Sequence, residues 1–277
     1  RINVLQRGIV ASNRVFKVID TNEFVNSDGD LMMHEVQGHL KFDRIHFSYI
    51  DEEPVLNDIN FEVQAGQTLA LVGATGSGKS SIINLILRFY NVDSGTILLD
   101  GKDIMQYNIQ SLRSHVALVL QDVFLFSDTI YNNIVLDKDI PIKEVRNAAK
   151  AIGLEGFIEQ LPGGYQYNVR ERGVMLSSGQ RQLIAFLRAY VCNPSVLILD
   201  EATSSVDIQT ENLIKQSINK LTEGRTSIII AHRIATIQNA DKILVMDQGR
   251  IVESGTHSDL LEQKGYYSRL FELQFSS

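Results

Sequence analysis

The chain contains no tryptophan, four prolines and a single cysteine among its 277 residues. One cysteine, Cys192, excludes an internal disulfide, and its setting in AYVCNPSV reads as a buried, inert thiol. Long apolar runs are missing as well. The longest, near residues 196–199 and 226–231, have strand length, well short of the ~18 residues that a membrane-crossing helix needs. The chain as given therefore reads as soluble, with no signal peptide. Basic residues are the minority sign, 26 against 33 acidic ones for a net charge of −7. That balance argues against a nucleic-acid partner, which wants a basic stripe. It leaves nucleotide binding open, because a few local cations and backbone amides suffice there. What is present is a 44% apolar content, enough for a sizeable core, in a length that suits one α/β domain with an inserted lobe.

Residues 1–20 place Ile2, Leu5, Ile9, Phe16 and Ile19 near a 3.6-residue period, which predicts an amphipathic helix. The sequence opens on Arg1 within that helical pattern, as a piece of a longer protein would. A polar stretch, 21–30, reads as a linker, so residues 1–24 form a helix and linker ahead of a domain over 25–277. Residues 38–49 are rich in aromatic and β-branched side chains whose alternation slips phase, which predicts a strand with a bulge. A turn and a second strand over 55–63 complete an antiparallel β layer. From Thr68 onward the strands become short and continuously apolar (residues 68–72, 116–120, 196–200, 227–231 and 242–246), separated by helical patterns. Such strands belong to a parallel sheet covered on both faces. Residues 121–192 read as mostly helical, with helices over 142–152, 154–160 and 178–191, and the chain ends in two short helices around Gly265. The predicted fold class is α/β: a mainly parallel core sheet, an antiparallel β subdomain and an inserted helical subdomain.

The segment GATGSGKS, residues 73–80, follows a predicted strand and precedes a predicted helix. It satisfies G-x-x-x-x-G-K-[ST] at every fixed position, in the context that gives the motif meaning. Glycines let the backbone curl with its N–H groups inward, and the helix N-terminus adds partial positive charge. Gly73, Ala74, Thr75, Gly76, Ser77, Gly78, Lys79, Ser80 and Ser81 are the candidate nucleotide contacts, with Lys79 for the β- and γ-phosphates and the Ser80 hydroxyl for Mg²⁺. A second feature is VLILDE, residues 196–201, an apolar strand that delivers Asp200 and Glu201 at its C-terminal end, the edge where open α/β sheets bind ligands. Alone it reads as a surface turn. Behind a phosphate loop, Asp200 becomes a candidate Mg²⁺ holder and Glu201 a candidate general base for the attacking water.

With these residues in view, the chain over about 38–277 resembles the nucleotide-binding domain of ABC transporters, most closely the exporter type with a fused membrane domain. LSSGQ, residues 176–180, resembles the family signature, with Ser178 in place of the usual glycine. The resemblance implies that Ser177, Gly179 and Gln180 contact a γ-phosphate held by a partner subunit; read alone, the segment is a helix N-cap. It further implies that Gln121 touches Mg²⁺ and the attacking water, and that Tyr49, about two dozen residues before the phosphate loop, stacks on adenine. His232 would contact the γ-phosphate as the switch histidine, and Asp207 would cross a dimer interface. Residues 171–173 resemble the exporter segment that meets the membrane domain, and Arg170 stands where a glycine is expected.

The family's fold is a RecA-like P-loop NTPase core. Its mechanism is a head-to-tail pair of domains closing around two ATP molecules with Mg²⁺ and driving export across a membrane from its cytoplasmic face. The implied catalytic set is Glu201, His232, Gln121 and Lys79. The implied metal ligands are Ser80, Gln121 and Asp200, and the implied partners are a second ATPase domain and a transmembrane domain. Two other readings keep the ATP site: a soluble ABC ATPase of DNA repair or translation, and a regulatory half-site with weak hydrolysis. A P-loop kinase would leave LSSGQ and His232 without a role.

Overall fold

A computed structural model describes residues 2–20, 29–200, 207–230 and 234–275. The elements run in the order α1 (Ile2–Asp20), β1 (Leu40–Ser48), β2 (Pro54–Val63), β3 (Thr68–Gly73), α2 (Lys79–Ile86), β4 (Ser94–Leu99), β5 (Lys102–Asp103), α3 (Ile109–His115), β6 (Val116–Val119), α4 (Ile130–Val135), α5 (Ile142–Ala151), α6 (Glu155–Glu159), α7 (Ser178–Val191), β7 (Val196–Asp200), α8 (Ile208–Thr222), β8 (Thr226–Ile230), α9 (Ile234–Gln238), β9 (Lys242–Asp247), β10 (Arg250–Gly255), α10 (His257–Glu262) and α11 (Tyr266–Phe275). No described helix is long and apolar enough to cross a membrane.

Two sheets carry the fold. One is antiparallel, in the order β2-β1-β4-β5, and the other is six-stranded, β10-β9-β3-β8-β7-β6, with all its neighbours parallel except β10 against β9. The expected bulge in β1 is there: its register against β2 shifts between Phe42 and Ile45, and Arg44 sits at φ 51°.

Strict alternation along the parallel strands splits the core in two. Leu69, Leu71, Ile198, Ile228, Ile230, Leu244 and Met246 face one cluster with α2 and the antiparallel sheet. Ala70, Val72, Leu197, Leu199, Ile229, Ile243 and Val245 face another with α4, α5 and α7. Successive strand side chains point to opposite faces, so α2 and α7 cover opposite sides of the same sheet. Both faces being covered is why these strands read as unbroken apolar runs.

Backbone hydrogen bonds join the antiparallel layer to the loop after β3. The Asn57 N–H donates to the Gly249 carbonyl at 2.9 Å, and the Gly249 N–H donates to the Ser77 carbonyl at 3.1 Å. Helices α4 to α7 lie between β6 and β7. Cys192 is less buried than expected: it caps the C-terminus of α7, partly buried, with the Lys138 ammonium 3.1 Å from its Sγ. The α1 helix forms as its period predicts, and Ile9, Phe16 and Ile19 are exposed along it.

Candidate nucleotide site

Parallel pairing of β3, β6, β7 and β8 brings their C-terminal ends to one edge. Gly73 ends β3, Asp200 ends β7 opposite Ile230 of β8, and Gln121 follows β6 by two residues, exposed. Glu201 and His232, which follow β7 and β8 in the sequence, lie outside the described residues.

The loop over residues 73–80 closes tightly against its strand. Gly73 adopts φ 150°, and a Cβ there would lie 2.2 Å from the Met246 carbonyl oxygen on β9. Gly78 adopts φ 102° as the N-cap of α2, where a Cβ would meet Leu56 at 2.6 Å. Gly76 (φ 82°) has open space around it. These conformations favour glycine, and they leave a concave loop whose rim, Ala74, Thr75, Gly76 and Ser80, is exposed, while Ser77 is buried. The Ser81 and Ile82 amides both donate to the Gly78 carbonyl. The Lys79 and Ser80 amides come before the first amide that donates within the helix, as the opening N–H groups of any α-helix do. Together with the helix dipole they form an anion site.

The Lys79 side chain is buried, and its ammonium donates to the Gly73 and Ala74 carbonyls, both at 2.9 Å. Burial pulls its pKa below the usual lysine value, and the nearby Asp200 carboxylate opposes that shift. The donors fit a nucleoside triphosphate with a hard divalent cation: amides and an ammonium for phosphate oxygens, and hydroxyl and carboxylate oxygens at Ser80 and Asp200 for the metal.

Tyr49 follows β1, 44% exposed, with its hydroxyl 3.1 Å from Ser81 Oγ and accepting from Asn84 Nδ2 at 2.9 Å. Its ring is near-perpendicular to those of Phe47 and Tyr90. The sequence points to Tyr49, whereas its neighbours Asn84 and Tyr90 meet it only in the fold. A weak signal existed, since Ser81 and Asn84 share a helix face three residues apart.

The signature residues stand apart from the loop, on the other face of the sheet. Ser177 is the N-cap of α7 in a reciprocal capping box: its Oγ accepts from the Gln180 amide at 3.2 Å, and Gln180 Oε1 accepts from the Ser177 amide at 3.0 Å. Ser178 is exposed and Gly179 is buried in the first turn. Asp207 caps α8 through a 2.9 Å bond from the Thr210 amide, and that bond holds its carboxyl below the usual range. Both local capping and a ligand role are thus open to these residues.

A groove of about 340 Å³ opens beside β6 and α7, lined by Leu120, Phe124, Phe126, Lys138 and Arg188 among others. Phe124 and Phe126 meet edge to face at 5.1 Å, both more than half exposed. Fully buried Asn133 pins their loop: it accepts from the Phe126 amide and donates to the Phe126 carbonyl.

The chain is similar to known proteins. The sequence model of the ABC transporter family matches residues 56–204. The ATP-dependent lipid A-core flippase of Shewanella oneidensis is 50% identical over all of this chain and 47% of its own length. That of Blochmanniella floridana is 48% identical over 98% of this chain and 47% of its own length. A bacterial Atm1-family ABC exporter solved with ATP bound superposes with a TM-score of 0.85 at 39% identity, covering 98% of this chain and 48% of that one. The chain thus spans about half the length of the curated relatives it matches.

Proposed function

The chain belongs to the ABC transporter family, as an ATPase domain of the exporter type, and we propose that it drives export across a membrane from the cytoplasmic face by closing head-to-tail on a second such domain. The observation that carries this reading is that β3 and β7 end in the phosphate loop and Asp200 at one sheet edge while the signature helix α7 lies on the face opposite α2. A signature turned away from its own phosphate loop is free to serve a neighbour's.

In this mechanism the first-turn amides of α2 and the Lys79 ammonium hold the phosphates, and Tyr49 stacks on the base. Ser80 and Asp200, with Gln121, would hold Mg²⁺, which would neutralise charge at the phosphate oxygens. Glu201 takes a proton from the attacking water, and His232 steadies the terminal phosphate. Ser177, Gly179 and Gln180 act across the dimer, with Asp207 at the same interface. Closure follows from a ligand that both subunits grip only when closed. The groove at Phe124 and Phe126, rimmed by Lys138 and Arg188, suits a short apolar helix with an acidic end from a transmembrane domain, and residues 1–24 are read as the helix and linker that trail from that domain. The relatives named above are membrane exporters or flippases, which favours this reading over a soluble DNA-repair or translation ATPase.

Glu201→Gln in the full-length protein tests it. ATP binding should persist, turnover should fall by about 10²–10⁴-fold, and ATP with Mg²⁺ should leave a stable dimer on size-exclusion chromatography. Undiminished hydrolysis would remove Glu201 as the base. A wild-type protein that binds ATP yet releases no phosphate would favour the regulatory half-site.

A further inference from the structure

We propose that Asn84 and Tyr90 are positioning residues that fix the Tyr49 ring on the phosphate-loop helix, so that the spacing between base platform and phosphate cradle is set before a nucleotide arrives. The inference rests on Tyr49 being the base-stacking ring.

Four contacts define the arrangement. Asn84 Nδ2 donates to the Tyr49 hydroxyl at 2.9 Å, and that hydroxyl lies 3.1 Å from buried Ser81 Oγ. Tyr90 stands 87° to the Tyr49 ring with centroids 4.9 Å apart, and buried Phe47 stands 80° to it at 4.7 Å. Ser81 and Asn84 belong to α2, whose first residues are Lys79 and Ser80. Tyr90 follows four residues after that helix ends.

A tyrosine kept only for packing hides its ring. Tyr49 does the reverse: its polar tip is held at two points on α2, its ring angle is set by two perpendicular aromatics, and 44% of the residue remains accessible. Edge-to-face contacts favour this geometry beyond the area they bury. A ring restrained in its binding orientation avoids the ordering cost at the moment of binding. Because the restraint comes from the helix that begins at the phosphate loop, ring and cradle move as one body. Losing it should weaken recognition of the base and leave recognition of phosphate alone.

The test compares ATP with inorganic tripolyphosphate, titrated against variants of the full chain. Tyr49→Ala sets the scale: ATP affinity should drop roughly 5- to 100-fold with tripolyphosphate unchanged. Asn84→Ala and Tyr90→Leu should each lower the ratio of ATP to tripolyphosphate affinity by about three- to tenfold, and Tyr90→Phe, which keeps the perpendicular ring, should restore it. If Tyr49→Ala alters the ratio while Asn84→Ala and Tyr90→Leu do not, the positioning role is overturned and the stacking role stands. If Tyr49→Ala leaves the ratio unchanged, the stacking role fails first and this inference with it. If the variants weaken both probes together, the contacts merely support the loop's fold, which also overturns the proposal.

Discussion

The two faces of the parallel sheet are built differently. On the α2 face the working groups are tied to strands: Gly73 lies against the Met246 carbonyl, Ser77 is bonded through Gly249 to β2, and Lys79 folds onto its own loop carbonyls. On the α7 face the working segments ride on loops. The run before the signature contains Arg170 at φ 58° and Arg172 at φ 53°, Val174 and Met175 are exposed, and the groove presents two exposed phenylalanines. The difference fits the two proposed tasks. Gripping a phosphate needs a cradle that does not yield, because misplacement by an ångström is costly. Passing a movement to another domain needs apolar contacts and a backbone that has somewhere to go.

Gly73→Ala should break the rigid face outright. The new Cβ would lie 2.2 Å from a strand carbonyl that cannot swing aside. Stability should fall by roughly 2–4 kcal/mol in urea unfolding, and ATP binding should be lost. Gly76→Ala is the matched control: its Cβ meets nothing within 4 Å, so only the positive φ costs, about 1 kcal/mol. Equal losses for the two would show that the fit against β9 is unimportant.

On the compliant face, Phe126→Glu places a charge in the groove lined by Leu120, Phe124 and Arg188. Domain hydrolysis should persist, while transport-linked stimulation of hydrolysis in the full-length protein reconstituted in liposomes should fall several-fold, on the scale of a hot-spot contact worth about 1–2 kcal/mol. Stimulation equal to the parent's would exclude the groove as the docking surface.

The same contrast governs what the sequence revealed. Strands β3, β7, β8 and β9 were legible because burial on both faces writes an unbroken apolar run, and the phosphate loop because its glycines answer local backbone demands. The long helices were legible where a period was clean, as over 178–191, and less so for α8, whose outward start at Ile208 is 78% exposed and breaks the pattern. The β4 strand shows only Ile97 and Leu99 buried in alternation, too short a signal to stand alone. Tyr49's partners were illegible, because Asn84 and Tyr90 lie 35 and 41 positions away and meet it only through the fold. The capping of α7 and α8 by Ser177 and Asp207 follows from local rules; a role across a second subunit lies beyond one chain's geometry. The expectation for Cys192 failed because apolar neighbours in sequence say nothing about a helix end that opens onto a groove.

The smallest expected effect is also the sharpest probe of the α7 face. Arg170 occupies φ 58°, ψ −171°, at the border of a region that is essentially glycine's alone and costs other residues about 1–3 kcal/mol. Its side chain is exposed, and its backbone bonds, from its amide to Asn168 Oδ1 and from the Gly173 amide to its carbonyl, do not depend on side-chain identity. Arg170→Gly therefore removes the strain and keeps the bonds, against an entropic loss of about 0.5–1 kcal/mol in the unfolded chain. The net expectation is a gain of about 1 kcal/mol, read as a rise in the urea midpoint at unchanged slope. Arg172→Gly, at φ 53°, ψ 20°, starts from an ordinary left-handed conformation and should gain less. If Arg170→Gly lowers the midpoint instead, the arginine side chain contributes more than its backbone costs, and the segment before the signature is held by charge instead of being left to yield.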